Sequence, residues 1–355
     1  MSTRTVFQTG QQLARTRWDT HESGEAFDRK KSPYLTEQAQ QFIAQQAMCV
    51  LAGLTPDNRL DGVLVLGQPG FVKVLDASTC LLRLEIGGRA SGILQRLCRA
   101  LSLGQVAWLS LFFICHPTRE RLCVHATVEI RASDSPALPC SPSSAPSVVV
   151  RLHVQEAFFH CSKYIRTRVA GLTVPDPPSF FSQQRRSSQD MLNGSQQGLS
   201  AEHCRFLNQQ MLCFLCTVNR EGRCAVNHRG GAPGFLVPYL PNTTIPGGVL
   251  LLPDYAGNGA FEALGNIFET KRAAIIVPNY AAQVALCVTG GAYVMETESL
   301  HGEVARRCRG AERVIALEVQ RVRVQSDDWS ALLAYECTRA ASTWAASVPS
   351  MCVLT

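Results

Sequence analysis

The spacing of apolar residues divides the first half of the chain into one early helix followed by short strands. We predict the helix from Thr36 to about Met48, because Phe42 and Ile43 fall on one face and Thr36 suits an N-cap. Runs rich in Val and Leu follow. Turn signals at Pro56-Asp57-Asn58 and, further along, at Asn219 to Gly222 separate such runs. Short strands with few helices favour an antiparallel β barrel.

The second half gives a clearer series of the same kind. One helix is predicted from Gly259 to Glu269, with Leu264 on its buried face and Asn258 able to cap its N-terminus. The predicted strands are Gly248 to Leu252, Ala273 to Val277, Val284 to Val288 and Val314 to Val324.

A long stretch of sequence occurs twice. Leu35 to Phe71 aligns without a gap with Leu199 to Phe235 at an offset of 164 residues, and 11 of the 37 pairs are identical. The identities end in a block, Gly67, Pro69, Gly70 and Phe71 against their counterparts in the second copy. A repeat of domain length predicts two copies of one fold, arranged as in a fused dimer.

The two copies disagree just before that shared block. The first copy reads Val63-Leu64-Val65-Leu66 where the second reads Asn227-His228-Arg229-Gly230. We interpret this as one working site and one converted to packing; the alternative is a solvated loop in the second copy.

Composition limits the class of protein. The chain has 355 residues, 46% of them hydrophobic and 17% charged, with a net charge of +6. Its Lys and Arg residues are scattered, which does not indicate a nucleic-acid partner but suits an anionic ligand. The 15 cysteines follow no disulfide framework, and no apolar run reaches the length of a membrane span. We therefore expect a cytoplasmic protein. Weaker alternatives are a mitochondrial presequence in the first 18 residues and prenylation at Cys352.

The domain prediction follows from the repeat and from two irregular segments. We expect the first copy over residues 1–172, with an irregular insert at 132–147 and a degenerate site. Residues 173–198 read as a flexible linker, and residues 199–355 form the second copy.

The stretch from Asn227 to Asn266 is the strongest candidate site. Its glycines let a backbone approach a ligand, Arg229 offers a bidentate fork for phosphate, and the helix after Asn258 presents free amide groups to an anion. A phosphorylated planar cofactor needs these features. The alternative is that the glycines only form turns.

Three phrases in this stretch resemble a known family. They are His-Arg-Gly-Gly-x-Pro-Gly-Phe (228–235), Pro-Asp-Tyr-x-Gly-Asn (253–258) and Leu-Gly-Asn (264–266), with a further phrase at Phe158 to Arg166. Together they are similar to the pyridoxamine 5′-phosphate oxidase-like, FMN-binding split-barrel superfamily, and most of all to its two-copy flavin-nucleotide-binding type. The resemblance implies a mainly β chain with two tandem split barrels that form an intramolecular pseudo-dimer.

The resemblance also implies a cofactor and its ligands. One FMN would lie at the interface of the two copies, with Arg229, Gly257 and Asn258 at its phosphate. The other residues implied to contact FMN or shape its pocket are Asn227, His228, Gly230, Asp254, Tyr255, Asn266 and, from the first copy, Lys163.

Two departures from the family pattern bear on activity. A basic residue is absent from the turn after Tyr255, and Gly291 stands where an arginine is expected. We therefore doubt authentic pyridoxamine 5′-phosphate oxidase activity and predict an FMN-dependent oxidoreductase that acts on an unidentified small-molecule substrate. The catalytic residues stay unknown, and a homodimer of the whole chain stays open. The alternative function is a non-catalytic protein that holds flavin or haem for storage, sensing or partner contact.

Two other sets of residues could form a site. A zinc site could use Cys204, Cys213, Cys216, Cys224 and His228. We do not favour it, because a strand would send Cys213 and Cys216 to opposite faces, and we expect no metal. The pair His160-Cys161 is a weaker candidate still, because adjacent residues of a strand also point apart.

Overall fold

A computed structural model describes residues 9–131, 133–134, 146–161, 165, 195–257, 259–326 and 329–347. Two helices, α1 (Thr9–Arg17) and α2 (His21–Asp28), precede the first copy. The elements of the first copy are α3 (Glu37–Gln45), β1 (Met48–Leu54), β2 (Leu60–Leu66), β3 (Val72–Asp76), β4 (Thr79–Glu85), α4 (Ser91–Ser102), β5 (Trp108–Cys115), β6 (Glu120–Glu129) and β7 (Ser147–Phe159).

The second copy repeats these elements and adds a short strand and two helices. Its elements are β8 (Ser195–Gln196), α5 (Ala201–Gln209), β9 (Leu212–Val218), β10 (Cys224–Gly230), β11 (Val237–Tyr239), β12 (Val249–Asp254), α6 (Glu262–Thr270), β13 (Arg272–Asn279), β14 (Val284–Glu296), α7 (Gly302–Arg307), β15 (Arg313–Ser326) and α8 (Ser330–Ser347).

The two sheets have the same antiparallel topology. The strand order is β2-β1-β5-β6-β7-β4-β3 in the first copy and β10-β9-β13-β14-β15-β12-β11 in the second. The pairs α3/α5, β1/β9, β2/β10 and β5/β13 each begin and end at the offset of 164 residues. The predicted mainly β fold, with two tandem split barrels, is confirmed.

Alternation along the strands places three apolar cores side by side. In β1, Cys49 and Leu51 face the core of the first copy, while Val50 faces a core shared with the second copy. In β9, Leu215 faces the core of the second copy, and Phe214 faces the shared core. Strands with one face in each core are apolar on both sides, which explains the continuous apolar runs in the sequence. The shared core holds the copies together as the predicted pseudo-dimer.

Most predicted elements are confirmed, with shifted ends. The Thr36 hydroxyl caps α3 by accepting from the Ala39 amide at 3.2 Å, although this helix ends at Gln45, before Met48 begins β1. The four predicted strands of the second half are present and longer, as β12 to β15.

One helix start was predicted wrongly. Helix α6 begins at Glu262, and its N-cap position is Phe261, which has a left-handed backbone (φ 50°) and no side-chain cap. A cap at Asn258 is three residues too early, because the chain first turns through this left-handed residue; Asn258 itself lies outside the described residues.

The N-terminal helices pack against the second copy rather than the first. Helix α1 crosses α6 so closely that a Cβ on Gly10 would lie 2.1 Å from the Gly265 carbonyl oxygen. Gly10 donates its amide to Glu269 at 2.7 Å, and the Gln11 side chain donates to the Ala260 carbonyl at 3.0 Å. This α1–α2 hairpin therefore covers the loop that leads into α6.

The insert at 132–147 and the linker at 173–198 lie mostly outside the described residues, so the domain limits stay a prediction. Gln196, near the end of the linker, pairs with Val322 of β15. Within the described part of the chain, no helix is long and apolar enough to cross a membrane.

Candidate functional site

A cavity of about 110 Å³ lies between the two copies, where β10 of the second copy meets the ends of β6 and β7 of the first. We call it the first site. Its polar lining includes Arg121, His160, His228, Arg229, Asp254 and Arg313. The aromatic ring of Phe27, from helix α2, lies at the same wall. The N-terminal hairpin, the first copy and the second copy therefore all contribute to one site.

Strand β10 delivers the residues that distinguish the second copy from the first. Asn227, His228, Arg229 and Gly230 all line the cavity. His228 pairs in register with Phe214 of β9, and its side chain is buried. The centroid of its ring lies 6.0 Å from that of Phe214, which belongs to the shared core.

Arg229 belongs to a chain of ion pairs. Its Nη1 donates to one oxygen of Asp254, and Nε of Arg313 donates to the other oxygen at 3.1 Å. The Arg313 guanidinium lies 4.4 Å from the ring centroid of Trp18 and 4.7 Å from that of Phe261. Arg313 itself is buried, and these cation–π contacts hold it in place, so it in turn orients Asp254 and Arg229.

The first copy contributes a third cation to the site. Arg121, at the start of β6, is buried, and its Nη1 lies 3.0 Å from His228 Nδ1. Its Nε donates to the Cys161 carbonyl oxygen at 2.8 Å. Arg121 therefore ties the end of β7 to the central histidine of β10.

Both histidines of the first site are neutral. Burial, reinforced by the charge of Arg121, lowers the pKa of His160 to about 3. Burial and the same arginine hold the pKa of His228 well below its ordinary value. A charged imidazole beside a buried guanidinium is doubly unfavourable, because it loses water and meets a like charge.

Several polar atoms of the lining are buried without a partner among the described residues. They are His160 Nε2, His228 Nε2, Asn227 Oδ1 and Arg229 Nε. Leaving a buried donor or acceptor unsatisfied costs about 1–3 kcal/mol per group. Three arginines and two carboxylates, Asp254 and Glu262, line the cavity, so it carries a net positive charge while the histidines are neutral.

The other predicted site residues divide into three groups. Tyr255 and Gly257 line the cavity at its rim. Asn266 does not reach it; its amide nitrogen donates to the Thr217 hydroxyl at 3.1 Å, behind α6. Lys163 and Asn258 lie outside the described residues.

A buried ion network next to the cavity joins the copies. His125 Nε2 lies 3.1 Å from Glu262, and Glu156 pairs with Arg223 at 2.9 Å and with Lys31 at 3.2 Å. His125, Glu156 and Glu262 have ligand atoms within 4.8 Å of one another, the spacing of a metal site. The two cations on Glu156 already balance its charge, so the group reads as an ion-pair network.

His125 is charged in this network. Its Nδ1 lies 2.7 Å from the Ser110 hydroxyl, which donates its single proton to the Cys224 carbonyl and so accepts from the ring. Both ring nitrogens therefore donate. Burial lowers the pKa of His125, but Cys123 and Glu262 outweigh burial and raise it to about 10. We attribute the direction to the Glu262 carboxylate.

The zinc alternative does not fit the fold. Cys213 packs in the core of the second copy, while Cys216 and Cys224 pack in the shared core on the other face of the sheet. As expected from the strand, these thiols cannot meet at one ion. Burial raises the pKa of Cys213 and of Cys224 to about 12, which disfavours the thiolate that zinc needs.

His160 and Cys161 are closer to the site than the sequence suggested. Strand β7 ends at Phe159, so the alternation that separates strand neighbours no longer applies, and both residues line the cavity.

Sequence reasoning missed Arg121, Arg313 and the α1–α2 hairpin. Arg121 carried a signal, because its counterpart at the offset of 164 is Ala285, the same polar-to-apolar contrast seen between β10 and β2. No sequence pattern indicated Arg313 or Phe27, because they reach the site through packing between distant segments.

No protein-family model matches the chain, and no curated protein does. Solved structures do. One, a putative pyridoxamine 5′-phosphate oxidase from Lactobacillus delbrueckii, is 22% identical and covers 36% of this chain and 98% of its own, with a TM-score of 0.28. A histidine-to-alanine variant of HupZ from Group A Streptococcus is 15% identical over 36% of this chain and 98% of its own, with a TM-score of 0.27.

A third match is a Clostridium acetobutylicum protein related to general stress protein 26, of the pyridoxinephosphate oxidase family. It is 9% identical over 35% of this chain and 85% of its own, with a TM-score of 0.27. Each match extends over a length close to that of one copy. Identities and scores this low describe a likeness only, so the function is argued from the residues of the site.

Proposed function

We propose that the chain binds one FMN per molecule at the first site and acts as a flavin-dependent oxidoreductase. The observation that carries this proposal is a set of four buried polar atoms around one positively charged cavity, none of which has a partner among the described residues. A ligand with several acceptors and donors and a negative charge would satisfy them.

The residues present fit FMN in chemistry. Arg229 is half-buried near the rim and suits the phosphate, since its Nε is free of partners among the described residues. His160, His228 and Asn227 each carry a buried polar atom without a partner among the described residues, and they suit the flavin ring and the ribityl chain. A cavity of about 110 Å³ holds only part of such a ligand, because small-molecule pockets measure about 300–1,000 Å³. The exposed loop at Ala256 and Gly257 lets the rest extend along the rim.

The protein side of the chemistry is orientation and electrostatics. When bound, FMN supplies hydride and electron transfer. The neutral histidines and Arg121 set the hydrogen bonds and charge around the ring, and Phe27 with Phe158 and Phe112 excludes water from the wall beside His160. We assign no side chain the role of acid or base.

Pyridoxamine 5′-phosphate is not our candidate substrate. The family arginine is absent at Gly291, although a Cβ there would meet nothing closer than 3.9 Å. A side chain could therefore start at position 291, but the arginine expected there is absent. Anaerobic reduction of the FMN-loaded protein by NADH or NADPH tests the enzyme assignment. Reoxidation turnover no faster than that of free FMN would instead favour a non-catalytic flavin carrier.

Replacement of Arg229 tests the binding proposal. Arg229→Ala removes a charge-assisted hydrogen bond and should weaken FMN binding by about 1.5–3 kcal/mol, measured by quenching of flavin fluorescence. Arg205→Ala removes the same charge from an exposed position on α5 and should leave the affinity unchanged. Equal affinities in the two variants would refute the assigned phosphate contact.

Haem is the second candidate ligand, because a neutral imidazole with a free Nε2 is an axial iron ligand. His160 meets that description. Titration with hemin, read from the Soret band in wild type and in His160→Leu, separates this candidate from FMN. A histidine-dependent Soret shift without flavin binding would favour haem.

A further inference from the structure

The contact between Arg121 and His228 determines the position of a proton. A guanidinium has five N–H donors and no acceptor, so Arg121 Nη1 can only donate across the 3.0 Å contact to His228 Nδ1. The Nδ1 atom is then the lone-pair nitrogen. Because the low pKa keeps the ring neutral, its one proton sits on Nε2.

The N–H group at Nε2 of His228 donates no hydrogen bond within the described residues. Nε2 of His228 is buried and has no partner among the described residues, and the residue lines the first site. A buried neutral donor matches a neutral acceptor better than a phosphate, which the nearby Arg229 cation serves. The ring nitrogens and carbonyl oxygens of a flavin are neutral acceptors of this kind.

We propose that Arg121 is a positioning residue from the first copy that fixes His228 as an Nε2–H donor to the flavin ring. This inference rests on the proposed FMN site. It explains why the site needs both copies: the second copy supplies the donor and the first copy sets its tautomer. A donated hydrogen bond stabilises the ring more as its electron density rises, so the pair also favours the reduced cofactor.

The competing explanation is that Arg121 only anchors the chain, since its Nε also holds the Cys161 carbonyl at 2.8 Å. A purely structural role would alter stability but not the protonation pattern of His228. The tautomer is therefore the discriminating readout.

The first experiment needs no ligand. Histidine-selective ¹⁵N NMR of the full chain reports the tautomer of each imidazole, and His228→Gln assigns the signal of His228. We expect a neutral, Nε2-protonated ring from pH 5 to 8. In Arg121→Ala, which installs the residue found at the equivalent position 285, the preference should be lost, whereas Arg121→Lys should retain it. An Nδ1-protonated or charged ring in the wild type, or an unchanged signal in Arg121→Ala, would overturn the inference.

The second experiment uses the FMN-loaded protein. Affinities for oxidised and reduced FMN, titrated anaerobically, give the ratio that sets the midpoint potential. This ratio should shift against reduced FMN at least tenfold in His228→Leu, about 30 mV for two electrons. His228→Gln, which keeps an N–H donor, should shift it less. An unshifted ratio in His228→Leu would overturn the donor role. If the wild type binds no FMN at all, the proposed function fails, while the NMR result still decides the tautomer.

Discussion

The two copies meet at two equivalent positions, and the side chains at these two positions differ. Leu122 and Leu286 are equivalent at the offset of 164. Leu122 pairs with Phe159, and Leu286 pairs with Val324. The residues that follow these partners, His160 and Gln325, are therefore equivalent as well. At the second site, defined by Asp61, Leu64, Arg323 and Gln325, the Gln325 side chain accepts from the Leu64 amide at 3.0 Å and donates to its carbonyl at 2.6 Å. Arg323 pairs with Asp61 at 2.7 Å.

The first site also contains an internal ion pair, Arg229 with Asp254, but it leaves other polar atoms unsatisfied among the described residues. His228 stands where the second site has Leu64, and its Nε2, like that of His160, is without a partner among the described residues. At the second site the polar side chains satisfy each other, whereas the first site keeps unsatisfied polar atoms at a cost in stability. We interpret this difference as the reason to propose ligand binding at the first site rather than at the second.

The largest expected effect comes from converting the first site into the second. The double variant His228→Leu/Arg229→Val installs the residues of positions 64 and 65. It should lose about 3 kcal/mol of FMN binding, more than 100-fold, because it removes one charged and one neutral hydrogen bond. Equilibrium titration measures this loss. Val65→Ala, at the second site, is the matched control and should bind as the wild type does.

Stability should respond in the opposite direction. Gln325→Leu strips the Leu64 amide and carbonyl of their partner and should lower the free energy of unfolding by about 1–3 kcal/mol. In contrast, His228→Leu removes one unsatisfied donor, Nε2, and also removes the acceptor of Arg121 Nη1. These two effects oppose each other, so the ligand-free protein should lose less stability than Gln325→Leu does. Urea unfolding compares the two. If His228→Leu were the more destabilising variant, the distinction between the sites would be wrong.

The ion network beside the first site predicts a pH dependence. The pKa of His125 is raised in the folded state to about 10, so its contribution is complete below the ordinary histidine pKa of about 6.5 and is lost as the pH rises toward 10. The free energy of unfolding should fall across this window by about 1.4 kcal/mol for each pKa unit by which the folded state raises the pKa of His125. In His125→Gln the fall should be smaller; an identical slope would exclude the imidazolium.

The smallest effect concerns the hairpin that covers only the first site. Trp18→Leu removes one face of the cation–π sandwich around Arg313 and should weaken FMN binding by about 0.5–1 kcal/mol through Asp254 and Arg229. Leu13→Ala, on the exposed side of the same helix α1, is the control. A larger loss in the control would mean that the hairpin acts through folding rather than through Arg313.

Sequence patterns predicted the fold well because they record local and repeated constraints. The Thr36 cap, the turn at Asn58 and the strand alternation around Cys49 to Leu51 each depend on neighbours in sequence, and the repeat supplied the architecture. The predicted start of α6 was wrong because Phe261 adopts a left-handed backbone, which a phenylalanine in the sequence does not indicate.

The candidate site was only partly predictable. The contrast between positions 64 and 228 located its centre, since that contrast is visible in one aligned block. Arg121 and the placement of Phe27 depend on how the copies and the N-terminal hairpin dock, a long-range outcome that no short pattern encodes.

The stoichiometry of flavin binding tests the central claim most directly. Calorimetric titration of the full chain with FMN should reach saturation at one equivalent, and the His228→Leu/Arg229→Val variant should show no comparable step. Saturation at two equivalents, or one equivalent that survives in the double variant, would contradict the account of one binding site and one closed site.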